Sequence, residues 1–266
     1  MKVLRLVAVM FLTLAGITVA TADVWEKHGY DQQFREFPDA SPSRRFPLGT
    51  DALGRDRLAR LVYGTRVSLL LAPAAALVSC ALALAAGGIA GLAGGIAERA
   101  ILAAADLFLS LPWFFLLLIA RASLPLNVSP AISVTIMFLL LGVLGWAAPA
   151  RVIRASVREL RHADFILFAH ASGIAPWRIL AAHLAPNLRP VLRARFWIAI
   201  PAYILAEATL GMLGLGISEP LPSLGGLLRD LESIDISSRL WLLAPAVLLA
   251  AVMLSLQVLR PADPTL

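Results

Sequence analysis

Residues 67–97 read VSLLLAPAAALVSCALALAAGGIAGLAGGIA, and from Val67 to Ala97 no side chain is charged. A helix needs roughly 20 apolar residues to cross about 30 Å of hydrocarbon, because no backbone N–H or C=O can be left unpaired there. This stretch exceeds that length, and so does Ala122 to Pro149. Leu240 to Leu259 matches it, flanked by Arg239 and Arg260. Ile101 to Ala120 is interrupted only by Asp106, and Phe196 to Ile217 only by Glu207, while Leu6 to Ala22 sits at the lower edge. The pattern predicts six membrane helices, at about 5–22, 68–93, 101–121, 130–150, 196–217 and 240–259. The expected fold class is all-α, a polytopic membrane protein.

Composition points the same way. The 266 residues are 59% hydrophobic and 15% charged, with a mean hydropathy of +0.82. Ordinary soluble domains run at about 45–50% apolar and about 25% charged. A soluble chain of this size cannot cover such an excess, so soluble enzyme, disordered chain and disulfide scaffold are all excluded. The one cysteine, Cys80, lies inside an apolar run and rules out an internal disulfide. The net charge of +6 is carried almost wholly by arginine. In such a chain basic residues report topology rather than nucleic-acid binding.

The first apolar run admits two readings. Lys2 and Arg5, an apolar stretch, then Ala20-Thr21-Ala22 before Asp23 fit either a membrane span or a cleaved signal peptide. Orientation follows from arginine placement. Eight arginines lie between Arg151 and Arg195; Lys27 and seven arginines lie between Asp23 and Arg66. Lys2 with Arg5 favours a cytoplasmic N-terminus, which makes 151–195 cytoplasmic and 23–66 external, with both termini cytoplasmic.

Three segments are not membrane. Residues 23–66 combine aromatics with charge, and Leu58, Leu61 and Val62 at helical spacing suggest a short interfacial helix capped by Thr50 or Asp51. Residues 217–239 form a short acidic loop with Glu219, Asp230, Glu232 and Asp235. In 151–195, Val152, Ile153, Val157 and Leu160 recur at helical spacing between arginines. Asp164 opens a second helix over 165–172, Gly173 offers a left-handed stop, and Pro176 starts a third helix that halts at Pro186-Asn187. This hairpin is either a membrane-surface element anchored by arginines or a docking knob for a partner. The organisation is therefore an N-terminal helix (1–22), an external linker with interfacial helix (23–66), and a core of five helices (67–260) holding the loop 151–195.

Several of these motifs, in order and at matching spacing, resemble the permeases of dipeptide, oligopeptide and nickel ABC importers. They are Pro47-Leu48-Gly49-Thr50-Asp51 with Leu53-Gly54-Arg55-Asp56, Tyr63-Gly64, Arg66-Val67-Ser68-Leu69, and Asp106-Leu107 to Leu111-Pro112. In the loop they are Asp164-Phe165, Ala169, Ala171, Gly173, Trp177-Arg178-Ile179 and His183-Leu184-Ala185-Pro186-Asn187. Ile204 to Ala208, Leu213 to Gly216, Pro220, Pro222-Ser223 and Gly225 follow. The resemblance covers about 46–260 plus the first span, and is to the second permease of the pair. It departs from the pattern at Leu167-Phe168-Ala169, where the family usually has Glu-Ala-Ala. Ala185 likewise replaces a leucine before Pro186.

The resemblance implies a type I importer permease fold with the first helix retained, in the bacterial cytoplasmic (inner) membrane. It implies import of di- or oligopeptides, with nickel or another small solute as the alternative. The partners implied are a second permease subunit, two cytoplasmic ATPase subunits that bind ATP and Mg, an external substrate-binding protein, and membrane lipid. It also implies that Asp164, Phe165, Leu167, Phe168, Ala169, Gly173, Trp177, Arg178 and Pro186 couple the chain to the ATPases. Phe165, Phe168 and Trp177 would be knobs, since aromatics and arginine dominate interface energetics; packing on the hairpin or on lipid headgroups is the competing reading.

Glu207 and Asp106 are the carboxylates inside spans, where a charge must face protein or water. Glu207 is a pathway or gate residue, or else a structural hydrogen-bond acceptor. Asp106 reads as structural, hydrogen-bonded to the partner permease or to Arg121 or another arginine. The glycines at 87, 88, 91, 94 and 95 permit close helix packing, internally or against a partner. No phosphate-cradling Gly-Xaa4-Gly-Lys-Ser/Thr loop exists, so the chain is not expected to be an enzyme or to carry a cofactor. The histidines at 28, 162, 170 and 183 make no metal set by spacing, and none is expected. A self-sufficient secondary carrier would show inverted repeats, and none is visible. An integral membrane enzyme or a membrane scaffold are the other classes.

Overall fold

The structure, a computed structural model, describes residues 2–26, 28–123, 129–233 and 239–260. Lys27 and Asp235, named above for their charge, lie outside these. The described residues form helices α1 (Lys2–Ala20), α2 (Ala22–Trp25), α3 (Arg57–Ala93), α4 (Gly95–Ser110), α5 (Trp113–Ala122), α6 (Pro130–Leu144) and α7 (Ala147–Leu160). They continue with α8 (Asp164–Ala171), α9 (Pro176–Arg178), a π-helical segment Ile179–Leu184, α10 (Ala185–Asn187), α11 (Arg189–Met212) and α12 (Leu224–Arg229). A 3₁₀ turn, Leu240–Leu243, leads into α13 (Ala244–Leu259).

Among the described residues three helices are long and apolar enough to cross a membrane: Lys2–Ala20, Arg57–Ala93 and Leu240–Leu259. Counting each bent pair as one span raises the number to five. Among the described residues three of the six expected helices depart from straight, continuous spans, and the reasons are local. The third is broken at Leu111-Pro112 and bends by 82°. Proline removes a helical donor and biases the residue before it towards extended backbone, and Leu111 is extended at φ −89°, ψ 136°. The fourth bends by 41° between α6 and α7. There Pro149 cannot donate to the Gly145 carbonyl, and the Ser79 hydroxyl donates to that oxygen instead at 2.9 Å. The fifth, α11, is displaced towards the N-terminus and ends at Met212 rather than 217. Its stop is a Schellman turn: Gly214 adopts φ +77°, and the Leu215 amide donates to the Leu210 carbonyl at 2.9 Å.

Two compact units divide the chain, and the division cuts α3 between Ala72 and Pro73 and α11 between Ile200 and Pro201. Both prolines lie inside their helices. The first unit comprises Met1–Ala72, Arg121–Phe138 and Pro201–Leu259. In it α1 packs along α13, and Val19 and Ala22 bury against Val62. The interfacial helix expected before the second span is not separate, because α3 runs unbroken from Arg57 to Ala93. Neither Thr50 nor Asp51 caps it. Asp56 does, its Oδ1 accepting from the Leu58 amide at 2.9 Å.

Thr50 and Asp51 instead shape the turn ahead of α3. The Thr50 hydroxyl accepts from the Ala40 amide at 2.9 Å and donates to the Phe37 carbonyl. Asp51 Oδ1 accepts from the amides of Leu53 (2.9 Å) and Arg55 (2.8 Å). Arg55 Nε donates to Asp51 Oδ2 at 2.6 Å, and Glu219 accepts from both Arg55 and Arg60, the latter at 3.0 Å. Burial of the Arg55 guanidinium opposes its charge, yet its hydrogen bond to Asp51 and the fields of Asp51 and Glu219 outweigh this and raise its pKa. The signature from Gly49 to Asp56 is thus a rigid ion-paired turn.

Candidate functional site

The hairpin expected over 151–195 belongs to the second unit, Pro73–Ala120 with Leu139–Ile200. Its foundation is α7, whose residues Ala147, Ala150, Ile153 and Val157 are buried, a stripe recurring every three or four positions. Ile166 and Ala169 of α8, then Ile179, Leu184 and Leu188, join that stripe in one apolar cluster with Ala83 of α3. The spacing that places Ile166 and Ala169 inward turns Phe165, Leu167 and Phe168 outward. They are 42%, 52% and 75% exposed, and Trp177 is 65% exposed. Arg178 stacks over the Trp177 ring at 5.1 Å.

The residues expected to act together therefore divide into two sets. Phe165, Leu167, Phe168, Trp177 and Arg178 form the outer surface. Ala169 is buried and belongs to the support beneath it. Asp164 begins α8, where its charge favours the helix N-terminus. Gly173 adopts φ +72° with nothing within 4 Å of an added Cβ, so the turn needs glycine for its backbone and not for space. Within this unit the aromatics do not fold back into the hairpin core.

The third helix of the hairpin runs through α9, a π segment and α10 and ends at Asn187, as the spacing predicts. The chain winds through the π segment, in which the Ala185 amide donates to the Leu180 carbonyl five residues back, and α11 begins two residues after Asn187. Widening by one residue accommodates a proline that cannot donate. The Asn187 side-chain amide also donates to the His183 carbonyl, at 2.6 Å.

Glycines mount this platform on α3. A Cβ at Gly87 would lie 2.4 Å from the Ala150 carbonyl oxygen, and one at Gly91 would lie 2.6 Å from Val157. At Gly88 it would meet Leu180 at 2.5 Å. The small-residue stripe is thus used internally, bringing α3 against α7 and the π segment. Gly94 and Gly95 have another role, with φ of +64° and +57° between α3 and α4. Glu98 pairs with Arg154 and lies 4.0 Å from Arg158, tying α4 to α7.

Asp106 pairs with Arg151, both half-exposed. In the first unit Arg121 is engaged otherwise. It donates to the carbonyls of Leu215 (3.1 Å) and Gly216 (2.8 Å) and to Ser133 Oγ (2.9 Å). Glu207 is fully buried, and Ser68 Oγ donates to its Oε2 at 3.2 Å. Ser79 was not singled out by sequence reasoning, and Ser68 and Asn187 were named there only within motifs, without these side-chain roles. Their signal was a polar side chain near a proline-freed carbonyl or a buried carboxylate, visible only once neighbours in space are known.

Residues 83–261, which include the hairpin and its glycine mount, match the family described as "Binding-protein-dependent transport system inner membrane component". The chain is 33% identical over 241 residues to the oligopeptide transport system permease protein OppC of Escherichia coli (strain K12), covering 89% of this chain and 76% of that protein. It is 36% identical over 207 residues to OppC of Salmonella typhimurium, covering 77% and 65%. To the dipeptide transport system permease protein DppC of Bacillus subtilis (strain 168) it is 28% identical over 219 residues, covering 82% and 67%.

Proposed function

Since the chain belongs to the inner membrane component family of binding-protein-dependent transport systems, we propose that it is a transmembrane permease subunit of an ABC importer for di- or oligopeptides. The peptide assignment rests on the oligopeptide and dipeptide permeases it is similar to. In this reading a second permease completes the path through the inner membrane. Two cytoplasmic ATPases bind ATP and Mg, and an external binding protein delivers substrate. Six spans in a type I arrangement follow if each bent helix pair crosses once and α11 crosses with its arginine end at the interface. The hairpin then faces the cytoplasm with both termini.

One observation carries the mechanism. Phe165, Leu167, Phe168 and Trp177 stand exposed on a hairpin whose inner face is fully packed. An apolar aromatic surface held by a rigid base is what a partner groove can grip. ATP-driven closure of the ATPases would push on this surface. Because α7, the π segment and α3 are in close contact through Gly87, Gly88 and Gly91, the push would reach α3 as displacement rather than be absorbed by loop motion. Leu167 and Phe168 give this docking face an apolar character where the family usually has Glu-Ala.

Purification of the tagged chain in mild detergent tests the reading. It should bring down a second permease and an ATPase, and the reconstituted complex should take up labelled oligopeptide only with ATP and Mg. Uptake by the chain alone without nucleotide would contradict it, as would purification without any ATPase.

A further inference from the structure

The first unit places Glu26, just after α2, beside His28 and Asp56, the cap of α3. One ligand atom from each lies within 4.8 Å of the others. We propose that these three side chains form a binding site for a divalent transition-metal ion such as Zn²⁺.

The donor set suits the ion: imidazole nitrogen with carboxylate oxygens is a Zn²⁺ or Co²⁺ combination, and three protein ligands leave a position for water. The groups are held in place. Asp56 is 1% exposed. Its Oδ1 is committed to the Leu58 amide, which leaves Oδ2 facing His28 Nδ1 at 2.9 Å. The imidazole is set by aromatic rings, with Phe34 edge-on at 4.9 Å and Phe46 at 5.3 Å. Outer contacts of this kind orient metal ligands.

Charge supplies the second argument. Two carboxylates, Asp56 buried and Glu26 half-buried, crowd one spot, where like charges repel. A protonated His28 would leave the trio at a net charge of −1, whereas a divalent cation with neutral imidazole brings it to zero. The ion would close the loop from Glu26 to Asp56 and tie the end of α2 to the start of α3, so binding energy would become folding energy. Spacing along the sequence could not reveal this, because Asp56 joins the other two only through the fold.

The test uses the full chain in detergent, stripped with a chelator and titrated with Zn²⁺ and with Co²⁺. The wild type should take up one Zn²⁺ per chain, develop visible Co²⁺ absorption, and unfold at a higher temperature with metal than without. His28→Phe keeps a ring between Phe34 and Phe46 but removes the nitrogen, and Glu26→Gln keeps shape but removes charge. Each should weaken Zn²⁺ affinity by at least about tenfold, since even supporting groups around a metal cost 10–100-fold when removed. The proposal is overturned if the wild type shows no saturable uptake, or if both variants bind as the wild type does.

Discussion

Gly54 and Gly173 share a left-handed backbone, at φ +73° and +72°, but not their surroundings. A Cβ at Gly54 would stand 2.2 Å from the Phe34 carbonyl oxygen, whereas at Gly173 it would meet nothing. Alanine at 173 therefore costs only the left-handed conformation, about 1–2 kcal/mol. At 54 it also forces backbone apart, and the loss should exceed about 3 kcal/mol. Thermal unfolding of both variants checks this, and equal losses would contradict the geometry. At Arg151–Asp106, half-exposed on both sides, Arg151→Ala should change stability by less than about 1 kcal/mol. The need for glycine at 173 was legible in the sequence, because a stop between two amphipathic segments demands it. The partner of Asp106 was not: several arginines were available, and only the packing of α4 on α7 selects Arg151.

At the scale of the element, α8 carries two faces that should respond oppositely to the same change. Ile166→Asp places a charge in the cluster beneath the hairpin and should unfold it, at a cost of several kcal/mol. Phe168→Asp alters a side chain 75% exposed and should leave unfolding within about 0.5 kcal/mol of wild type. Thermal denaturation of the two variants separates them. The tether between α2 and α3 gives a pH-dependent case. Hydrogen bonds from the Tyr63 hydroxyl (2.6 Å) and then from Arg66 (2.8 Å) hold the Asp23 carboxyl below its usual range. A depressed folded pKa adds stability that is full above the unfolded value, about 3.9, and is lost as pH falls through the folded one. The stability difference between wild type and Asp23→Asn should therefore be constant at neutral pH and vanish in acid. Hydrophobic runs and the 3.6-residue period made the helices and the two faces of α8 legible. The bend between α6 and α7 was not legible because it depends on which group takes over the carbonyl that Pro149 leaves free. At Gly145 that group is Ser79, distant in sequence.

For the whole molecule, composition pointed to a membrane protein, and the order of motifs pointed to the family that the match over residues 83–261 shows. The count of spans was less legible, since Arg193, Arg195 and Glu207 dilute α11 and prolines bend two others. The central claim is that the exposed aromatics of the hairpin carry the work of ATP hydrolysis into α3 and α7. Its most direct test is substrate-stimulated ATP hydrolysis and peptide uptake, measured together on reconstituted complex carrying Phe168→Asp with Trp177→Asp. The account predicts a folded, membrane-inserted permease in which peptide no longer stimulates hydrolysis and uptake falls at least about tenfold, as loss of central aromatic anchors at about 2 kcal/mol or more each requires. Stimulation and uptake equal to the wild type, with the variant in the assembled complex, would contradict it.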